Sequence, residues 1–304
     1  MSVLVTGSAG LIGERVVRAL SDRGADVIGV DPAEPARQSA DCLQIVGDAG
    51  DLDLALRIMD QHGVDTLIVL GYVMHQLFEP DFRDMSAAIR ANVLGIANLF
   101  EAAVKLNLRR VVLASSIGVY GPQERYGNRP VTEQDFVSPP SLYGQLKALN
   151  ESVAEWYRDH WSLDVVAVRS AAVLGSRSPL WPADLLNPVA RGGTGRAIFS
   201  AQMPTNLVWV DDLAQLFAGL GLAERLDHSV YNASGSETTV GEVAAIAAAQ
   251  IPGATFEFPA DGEVSPGYPT NVSSSRAHTE LNWTPLPLES AVGMHLEEAA
   301  AVAR

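Results

Sequence analysis

The feature that most constrains the fold is a glycine-rich turn near the N-terminus, within the segment SVLVTGSAGLIGERVVRAL at residues 2–20. Gly7, Gly10 and Gly13 follow one another at three-residue spacing, directly after a short apolar run. A tight strand-to-helix turn needs one glycine, because glycine adopts positive φ angles without steric cost. Three glycines at this spacing indicate in addition that a ligand or another segment approaches the backbone closely.

The ligand that such a turn accommodates is a pyrophosphate. A helix N-terminus presents unpaired N–H groups and a partial positive charge, which bind phosphate when no side chain blocks the backbone. We expect Gly7 to make the turn, Gly10 to admit the pyrophosphate and Gly13 to let the helix pack against its strand. Leu11 and Ile12 lie between these glycines and belong to the same predicted dinucleotide site.

The residues that follow complete a strand–helix–strand unit. Apolar residues recur at helical spacing between 11 and 20, and the run ADVIGV at 25–30 is typical of a buried parallel strand. Asp31 comes next, 18 residues after the third glycine, near the offset of about 20 at which a carboxylate accepts hydrogen bonds from the adenosine ribose. The same carboxylate would repel the 2′-phosphate of NADP, so the sequence predicts NAD as the cofactor. The structural alternative is that Asp31 only caps a turn with Pro32.

Strand patterns alternate with helix patterns through the first half of the chain. Near-continuous apolar runs, typical of buried parallel strands, occur at 43–46, 64–70, 109–115 and 163–170. Helix-length segments lie between them, near 51–62, 83–107 and 142–160. This alternation predicts an α/β fold: a doubly wound parallel sheet of the Rossmann type with right-handed crossovers.

The composition changes at 175–195, which is rich in proline and glycine and predicts loops and short helices. We therefore expect a dinucleotide-binding domain at 1–172, to which the segment 205–235 returns. The remaining segments, 173–204 and 236–304, are expected to form a smaller C-terminal substrate-binding lobe.

The charge balance and the cysteine and histidine content exclude several other classes. Lys and Arg number 21 and Asp and Glu 36, a net charge of −15 that offers no basic surface to a nucleic acid. The single Cys42 excludes an intramolecular disulfide and a cysteine-based zinc site, and the six histidines show no metal-ligand spacing, so we expect no metal. No basic leader precedes the first strand, and no apolar run approaches the length of a membrane span, about 18 residues. We expect a cytoplasmic protein that acts on a small molecule.

Two segments carry the predicted chemistry: ASSIGVYG at 114–121, directly after an apolar strand, and YGQLK at 143–147, opening a helix. Tyr143 and Lys147 are four residues apart, so both side chains leave one helix face and can meet one ligand. The ammonium favours the phenolate and should lower the pKa of Tyr143, which makes the phenol a general acid/base for an alcohol or ketone oxygen. We expect Ser116 to hydrogen-bond that oxygen and Lys147 to reach the nicotinamide ribose. The alternative is an exposed pair without function.

The sequence resembles the extended short-chain dehydrogenase/reductases, known broadly as NAD-dependent epimerase/dehydratase proteins, over nearly its whole length. The motifs that carry the resemblance are TGSAGLIG (6–13), Asp31, GD (47–48), NVLGIANLFEAA (92–103), SSIGVYG (115–121), YGQLK (143–147) and VWVDDLA (208–214). The resemblance implies that Ser116, Tyr143 and Lys147 are the catalytic set. It also implies contacts around the cofactor for Asp48 at the adenine, Leu70 and Gly71 along the cofactor, Asn92 near the active site, and Val173 beside the nicotinamide.

Two positions depart from the nucleotide-sugar enzymes of that family. Those enzymes usually carry Asn in the loop after the sixth strand and Arg before the VDD segment, where this chain has Ala172 and Thr205. Both family residues serve the phosphates of the sugar nucleotide, so their replacement loses charge-assisted contacts. Arg191 and Arg196 are the nearby cations that could compensate. The departures favour an NAD-dependent oxidoreductase that interconverts a secondary alcohol and a ketone on a small non-nucleotide substrate.

Two alternatives to this function stay open. In a sugar or nucleotide-sugar epimerase or dehydratase, NAD would stay bound and return the hydride to the same molecule, so no net NADH would form. A non-catalytic NAD-sensing binding protein would keep the fold without turnover, although such proteins typically lack the tyrosine and the lysine.

A few further residues are candidates for the substrate pocket or for structural positions. His75 lies in the loop after the fourth strand, and Trp181 and Arg191 lie in the segment expected to form the pocket wall. Asp211 and Asp212 are adjacent carboxylates that would face opposite sides of a strand, and we expect Asp212 to cap the helix that follows. A homodimer is the expected assembly.

Overall fold

The computed structural model describes residues 1–34, 42–73, 84–178, 180–260 and 265–301. Its strands are β1 (Ser2–Thr6), β2 (Asp26–Asp31), β3 (Cys42–Val46), β4 (Thr66–Val69), β5 (Arg110–Ser116), β6 (Val165–Ser170), β7 (Ala172–Leu174), β8 (Thr194–Arg196), β9 (Pro204–Trp209), β10 (Val230–Ala233), β11 (Ser236–Thr239) and β12 (Thr255–Glu257). Its helices are α1 (Leu11–Ser21), α2 (Leu52–Gln61), α3 (Met85–Ile89), α4 (Gly95–Lys105), α5 (Leu142–Trp161), α6 (Ala183–Ala190), α7 (Val210–Leu222), α8 (Val240–Gln250), α9 (Ser275–Leu281) and α10 (Leu288–Ala301).

The central sheet has seven strands in the spatial order β10–β6–β5–β4–β1–β2–β3, and every neighbouring pair is parallel. Parallel neighbours need crossover connections, which the helices supply on both faces of the sheet. The order reverses at β1, because the chain first builds outward to β3 and then restarts on the other side with β4. Open parallel sheets bind ligands at such a reversal. The doubly wound parallel sheet predicted from the sequence is confirmed.

Alternate residues of the strands enter two separate cores, one on each face of the sheet. Val3 and Val5 of β1 pack with α1 and α7, whereas Leu4 packs with α2 and α4 on the opposite face. All three side chains have 1% of their surface exposed or less. A strand buried on both faces must be apolar at consecutive positions, which is why these strands appear as continuous apolar runs in the sequence.

The helix predicted over 83–107 is interrupted. Its described part consists of α3, a π-helical turn at Arg90–Leu94, and α4. This 21-residue stretch contains an 18-residue window with a mean hydropathy of 1.3, so it is long and apolar enough to cross a membrane by those two criteria, contrary to the expectation that no apolar run approaches such a length. Leu99 and Phe100 of α4 are buried in the core beneath the sheet. Packing in this core accounts for the apolar composition of the stretch.

The remaining strands lie outside the central sheet. β9 pairs in parallel with β7 and antiparallel with β11, and β12 pairs with β8. Of the segment 205–235, α7 packs on α1 and β10 joins the central sheet, whereas β9 belongs to the smaller sheet. Helices α6, α8 and α10 bury a third apolar cluster against β7 and β9.

Asp211 and Asp212 lie in the first turn of α7, and the residue that caps this helix is Trp209. The carboxylate of Asp212 accepts a hydrogen bond from the N–H of Leu286 at 2.8 Å. Asp211 forms an ion pair with Arg15 of α1 at 3.3 Å. The prediction that Asp212 caps the helix is therefore wrong, because the helix begins two residues earlier and the carboxylate ties the C-terminal segment to α7.

Candidate active site

The glycine turn joins β1 to α1 at the carboxyl edge of the central sheet. Gly7 has a φ of 70°, in the left-handed region that glycine adopts readily, and its N–H donates to the carbonyl of Val30 at 2.9 Å. A Cβ on Gly13 would lie 2.0 Å from the carbonyl oxygen of Gly7. The helix can therefore press against the turn only because position 13 is glycine.

No side chain covers the N-terminus of α1. Gly10 is the N-cap residue, in an extended conformation and without a side-chain cap hydrogen bond. No capping side chain therefore satisfies the first N–H groups of the helix, those of Leu11 and Ile12. A phosphate here would meet these donors and the positive end of the helix dipole. The turn fits the pyrophosphate of NAD, and Leu11 and Ile12 are the residues that would hold it.

Asp31 ends β2 and Asp48 follows the adjacent strand β3, beside this turn. The carboxylate of Asp31 accepts hydrogen bonds from the N–H of Ala9 at 3.1 Å and from the N–H of Ala33 at 2.8 Å. The bond from Ala33 closes a turn around Pro32, as the structural alternative predicted. The bond from Ala9 brings the carboxylate to the glycine turn, as a cofactor site requires. Asp48 is exposed at the end of β3. Both carboxylates are placed where an adenosine could be bound.

Leu70 and Gly71 follow β4 and contact the glycine turn from the side opposite β2. The N–H of Leu70 donates to the carbonyl of Thr6 at 3.3 Å, and a Cβ on Gly7 would lie 2.6 Å from the nitrogen of Gly71. Val173, in β7, packs in the same apolar cluster as the first turn of α1. The structure thus brings predicted cofactor residues from separate segments to one place.

Asn92 binds the backbone of the neighbouring segment. It is fully buried in the π-helical turn, and its side-chain amide accepts from the N–H of Val73 at 2.8 Å and donates to the carbonyl of Val73 at 2.9 Å. Its own carbonyl accepts from the side-chain amide of Asn150 in α5 at 2.8 Å. Asn92 therefore fixes the segment after Gly71, and its contact with the cofactor stays a prediction.

Ser116, the last residue of β5, meets the beginning of α5. Its hydroxyl is hydrogen-bonded to the phenol of Tyr143 and accepts from the N–H of Gly118 at 3.1 Å. Ser141 caps the helix by accepting from the N–H of Gly144 at 3.1 Å. A Cβ on Gly144 would lie 2.5 Å from the carbonyl oxygen of Gly118, so this glycine lets the helix contact the turn after Ser116. The Ser116–Tyr143 pair depends on that close contact.

Lys147 lies one helical turn beyond Tyr143 and has 5% of its surface exposed. Its ammonium donates to the carbonyl of Ala114 in β5 at 2.7 Å. It also lies 3.8 Å from the ring centroid of Tyr72 and 5.8 Å from that of Tyr143. Burial lowers the pKa of Lys147 to about 7, against an opposing effect of Glu151. The charge of this lysine is therefore marginal at neutral pH.

Burial also raises the pKa of the Tyr143 phenol, and the hydrogen bond with Ser116 opposes this only in part. The lowered pKa predicted from the sequence is wrong for this structure, since desolvation of the phenolate outweighs the hydrogen bond that favours it. At neutral pH the phenol is protonated and can donate its proton to an oxygen placed beside Ser116. The pair can act as an acid towards a ketone and, in reverse, as the base that receives the proton of an alcohol.

Three other residues considered from the sequence belong to the smaller sheet and its surroundings. Ala172 and Thr205 lie on the neighbouring strands β7 and β9 of the smaller sheet. Trp181 packs against Phe199, with ring centroids 6.2 Å apart, and His75 falls outside the described residues. Across the described part of the chain, no three His, Cys, Asp or Glu side chains are grouped so that they could hold a metal ion.

Sequence reasoning missed two residues of the site, Gly144 and Tyr72. A glycine inside a helix costs about 1 kcal/mol relative to alanine and indicates a packing requirement, so a signal for Gly144 existed. No such signal existed for Tyr72, because a single aromatic residue after a strand does not indicate that its ring faces a buried ammonium.

The chain is similar to known proteins in sequence. A family model described as the NAD dependent epimerase/dehydratase family matches residues 3–232. UDP-glucose 4-epimerase of Halalkalibacterium halodurans is 28% identical over 171 residues, covering 56% of this chain and 50% of that protein. UDP-glucuronate 4-epimerase 1 of Arabidopsis thaliana is 29% identical over 193 residues, covering 58% of this chain and 43% of that protein. The chain spans about half the length of the curated relatives it matches.

Solved structures share the whole fold. A UDP-glucose 4-epimerase from Thermotoga maritima, determined with UDP-glucose, covers 100% of both chains with a TM-score of 0.87 and 22% identity. An L-threonine dehydrogenase from Cupriavidus necator covers 100% of both chains with a TM-score of 0.84 and 21% identity. The same fold therefore occurs in epimerases and in dehydrogenases, and it does not distinguish between these two reactions.

Gly10→Ala and Gly13→Ala should separate the two uses of the glycine turn. A Cβ on Gly10 would lie 3.1 Å from the carbonyl oxygen of Gly7, a contact that a small shift relieves. We expect Gly10→Ala to fold normally but to bind NAD much more weakly, since the methyl group occupies the approach to the N–H groups. Gly13→Ala should in addition lower the melting temperature by several degrees, because the turn must move. Calorimetry with NAD measures the affinity, and thermal unfolding measures the melting temperature. Normal NAD binding by Gly10→Ala would mean that the turn has only a structural role.

Asp31 should determine the choice of dinucleotide. We expect the protein to bind NAD well and NADP poorly, because the carboxylate beside the glycine turn repels a 2′-phosphate. Asp31→Ala should reduce this preference by about tenfold or more, whereas Asp48→Ala, an equal change on the next strand, should leave the ratio of affinities unchanged. Titration calorimetry with both dinucleotides provides the ratio. Equal affinities in the unaltered protein would contradict the assignment.

Proposed function

We propose that this chain, which belongs to the NAD dependent epimerase/dehydratase family, interconverts a secondary alcohol and a ketone on a small non-nucleotide substrate. It is an NAD-dependent enzyme of the extended short-chain dehydrogenase/reductase type. The observation that carries the proposal is the hydrogen-bonded pair of Ser116 and Tyr143, beside the buried Lys147, at the same sheet edge as the uncapped N-terminus of α1. Bound NAD would supply the donor or acceptor of the hydride.

The side chains of the site would move one proton. In the reduction direction, the substrate carbonyl oxygen accepts hydrogen bonds from the Ser116 hydroxyl and the Tyr143 phenol. As that oxygen takes up negative charge, the proton moves to it from Oη of Tyr143, and in the oxidation direction the alcohol returns the proton. The Lys147 ammonium stabilises the negative charge left on Oη. This attraction is stronger than in water because the groups are buried.

Support for a substrate without a diphosphate comes from the smaller sheet and its surroundings. Thr205, at the position where nucleotide-sugar enzymes of the family usually carry Arg, is fully buried and shares a hydrogen bond of 3.2 Å with the phenol of Tyr268. Arg196 is paired with Glu257 at 2.9 Å. Arg191 donates to a backbone carbonyl of α10 at 3.4 Å. Both cations that could replace the missing Arg thus have partners of their own.

The second candidate is epimerisation or dehydration of a sugar or nucleotide sugar, with NAD retained. The curated relatives named above favour it, since both are UDP-sugar epimerases. The L-threonine dehydrogenase among the solved structures has the same fold and favours the first candidate, an NAD-dependent oxidoreductase. The two reactions differ in one measurable quantity, because net NADH forms only in the first. An NAD-sensing protein without turnover has less support, since Tyr143 and Lys147 are both in place.

A homodimer is the proposed assembly, and its proposed interface lies on the adjoining helices α4 and α5. Leu94, directly before α4, is 51% exposed, and Leu149 and Trp156 of α5 are 45% and 48% exposed. Exposed apolar side chains on adjoining helices favour burial against a partner. A monomeric mass in light scattering would contradict this assembly.

We also propose a cytoplasmic location, since the single Cys42 of the sequence is a free thiol.

NADH formation and sugar-nucleotide binding distinguish the two candidate reactions. We expect at least one small secondary alcohol or hydroxy acid to produce NADH, followed by absorbance. Loss of two phosphate contacts, each worth about 1.5–3 kcal/mol, should lower the affinity for a sugar nucleotide by a few powers of ten. Calorimetry on the NAD-loaded protein should therefore show no micromolar binding of UDP-glucose. Micromolar binding of any sugar nucleotide without net NADH would favour the epimerase instead.

Tyr143→Phe removes one hydroxyl and should lower turnover by about 10²–10⁴-fold while leaving NAD affinity intact. Lys147→Ala should reduce both turnover and NAD affinity, because its ammonium is expected to serve the phenol and the ribose. Tyr126→Phe is a matched control, since that buried hydroxyl contacts the backbone carbonyls of Tyr120 and of Phe136, the second at 2.9 Å, and not a side chain of the catalytic set. Steady-state kinetics and NAD titration measure these effects. Full activity in Tyr143→Phe would mean that the proton comes from another group.

A further inference from the structure

Tyr72 follows the predicted cofactor residues Leu70 and Gly71, and its ring lies 3.8 Å from the ammonium of Lys147. A cation within about 6 Å of an aromatic face is attracted by the quadrupole of the ring, more strongly when the pair is desolvated. This pair is desolvated, because Lys147 is 5% exposed and the hydroxyl oxygen of Tyr72 is buried. We propose that Tyr72 is a positioning residue, which keeps Lys147 protonated and in place next to Tyr143.

The other groups around the Lys147 ammonium come from three elements of the described structure. From β5, a backbone carbonyl accepts a hydrogen bond at 2.7 Å. From α5 itself come Tyr143, one turn before the lysine, and Glu151, one turn after it. From β6, the guanidinium of Arg169 donates to both carboxylate oxygens of Glu151, at 3.0 and 2.6 Å. Since Arg169 balances the charge of Glu151, the groups that stabilise the ammonium directly are the carbonyl of Ala114 and the face of Tyr72.

The ring of Tyr72 is held in its orientation by Tyr143. The two ring centroids are 5.7 Å apart and the ring planes are 87° apart, the edge-to-face arrangement that aromatic pairs favour. Tyr72 thus contacts both predicted catalytic side chains of α5. Its hydroxyl has no hydrogen-bond partner among the described residues, so the placement of the residue is explained by its ring.

The catalytic consequence rests on the proposed function. Burial brings the pKa of Lys147 down to about 7, so loss of one stabilising contact would leave the lysine largely neutral at neutral pH. A neutral lysine would not stabilise negative charge on the oxygen of Tyr143. Activity should therefore fall as the pH rises through the pKa of Lys147, and a variant with a lower pKa should lose activity at a lower pH.

The chain offers a direct test, because Lys105 and Lys147 are its only two lysines. Protein labelled with ¹³C and ¹⁵N in lysine gives one set of side-chain NMR signals from each, and Lys105, in an i,i+4 ion pair on α4, is the internal reference. We expect Tyr72→Leu to lower the pKa of Lys147 by about one unit and Tyr72→Phe to leave it within a few tenths of a unit. Tyr157→Leu, the same change at a tyrosine ten residues beyond Lys147 on α5, is the control and should leave it unchanged.

Phenylalanines with increasing numbers of fluorine atoms at position 72 keep the shape of the ring while withdrawing electron density from its face. We expect the pKa of Lys147 to fall stepwise along this series, which keeps the test available if Tyr72→Leu does not fold. An unchanged pKa along the series, or in folded Tyr72→Leu, would overturn the proposal. So would a fall in Tyr72→Phe as large as in Tyr72→Leu.

The titration needs no substrate, so its outcome is separate from that of the activity assay. A lowered pKa of Lys147 together with no NADH from any alcohol would support Tyr72 as the positioning residue and contradict the proposed function. NADH formation with an unshifted pKa would support the proposed function and overturn the assignment of Tyr72.

Discussion

Four groups of the candidate site lie at the carboxyl edge of one parallel sheet, and α5 brings Tyr143 and Lys147 to them. Parallel strands end at the same edge, so β1, β2, β4 and β5 deliver the glycine turn, Asp31, Tyr72 and Ser116 to neighbouring positions. The helix after β1 begins without a side-chain cap, and α5 begins where Gly144 allows contact with the turn after Ser116. The places available to the dinucleotide and to the acid/base pair both follow from this property of the sheet.

The burial that positions the catalytic side chains also opposes their charged forms. It raises the pKa of Tyr143 and lowers the pKa of Lys147 to about 7. A buried charge is stable only when it is paired or hydrogen-bonded. Glu151 has Arg169 as its partner, and Lys147 has a backbone carbonyl and the ring of Tyr72. The lysine is therefore close to the point at which it gains or loses a proton, a property common to catalytic sites that work near neutral pH.

Periodic patterns in the sequence predicted more than individual residues did. The alternation of apolar runs with helix-length segments predicted the central sheet, because burial on both faces makes parallel strands continuously apolar. The four-residue spacing of Tyr143 and Lys147 predicted one helix face, and both residues lie on α5. Contacts between distant segments could not be predicted in this way. These include the pairing of β9 in the smaller sheet, the ring of Tyr72 on Lys147, the bond from Leu286 to Asp212, and the burial that reverses the expected shift in the pKa of Tyr143.

One bound dinucleotide must reach both the N-terminus of α1 and the Ser116–Tyr143 pair if the site works as described. A crystal structure of the protein with NAD measures this most directly. We predict pyrophosphate oxygens within hydrogen-bonding distance of the N–H groups of Leu11 and Ile12, the adenosine ribose at Asp31, and the nicotinamide next to Tyr143. A pyrophosphate bound away from α1, or a nicotinamide remote from Tyr143, would contradict this account of the site.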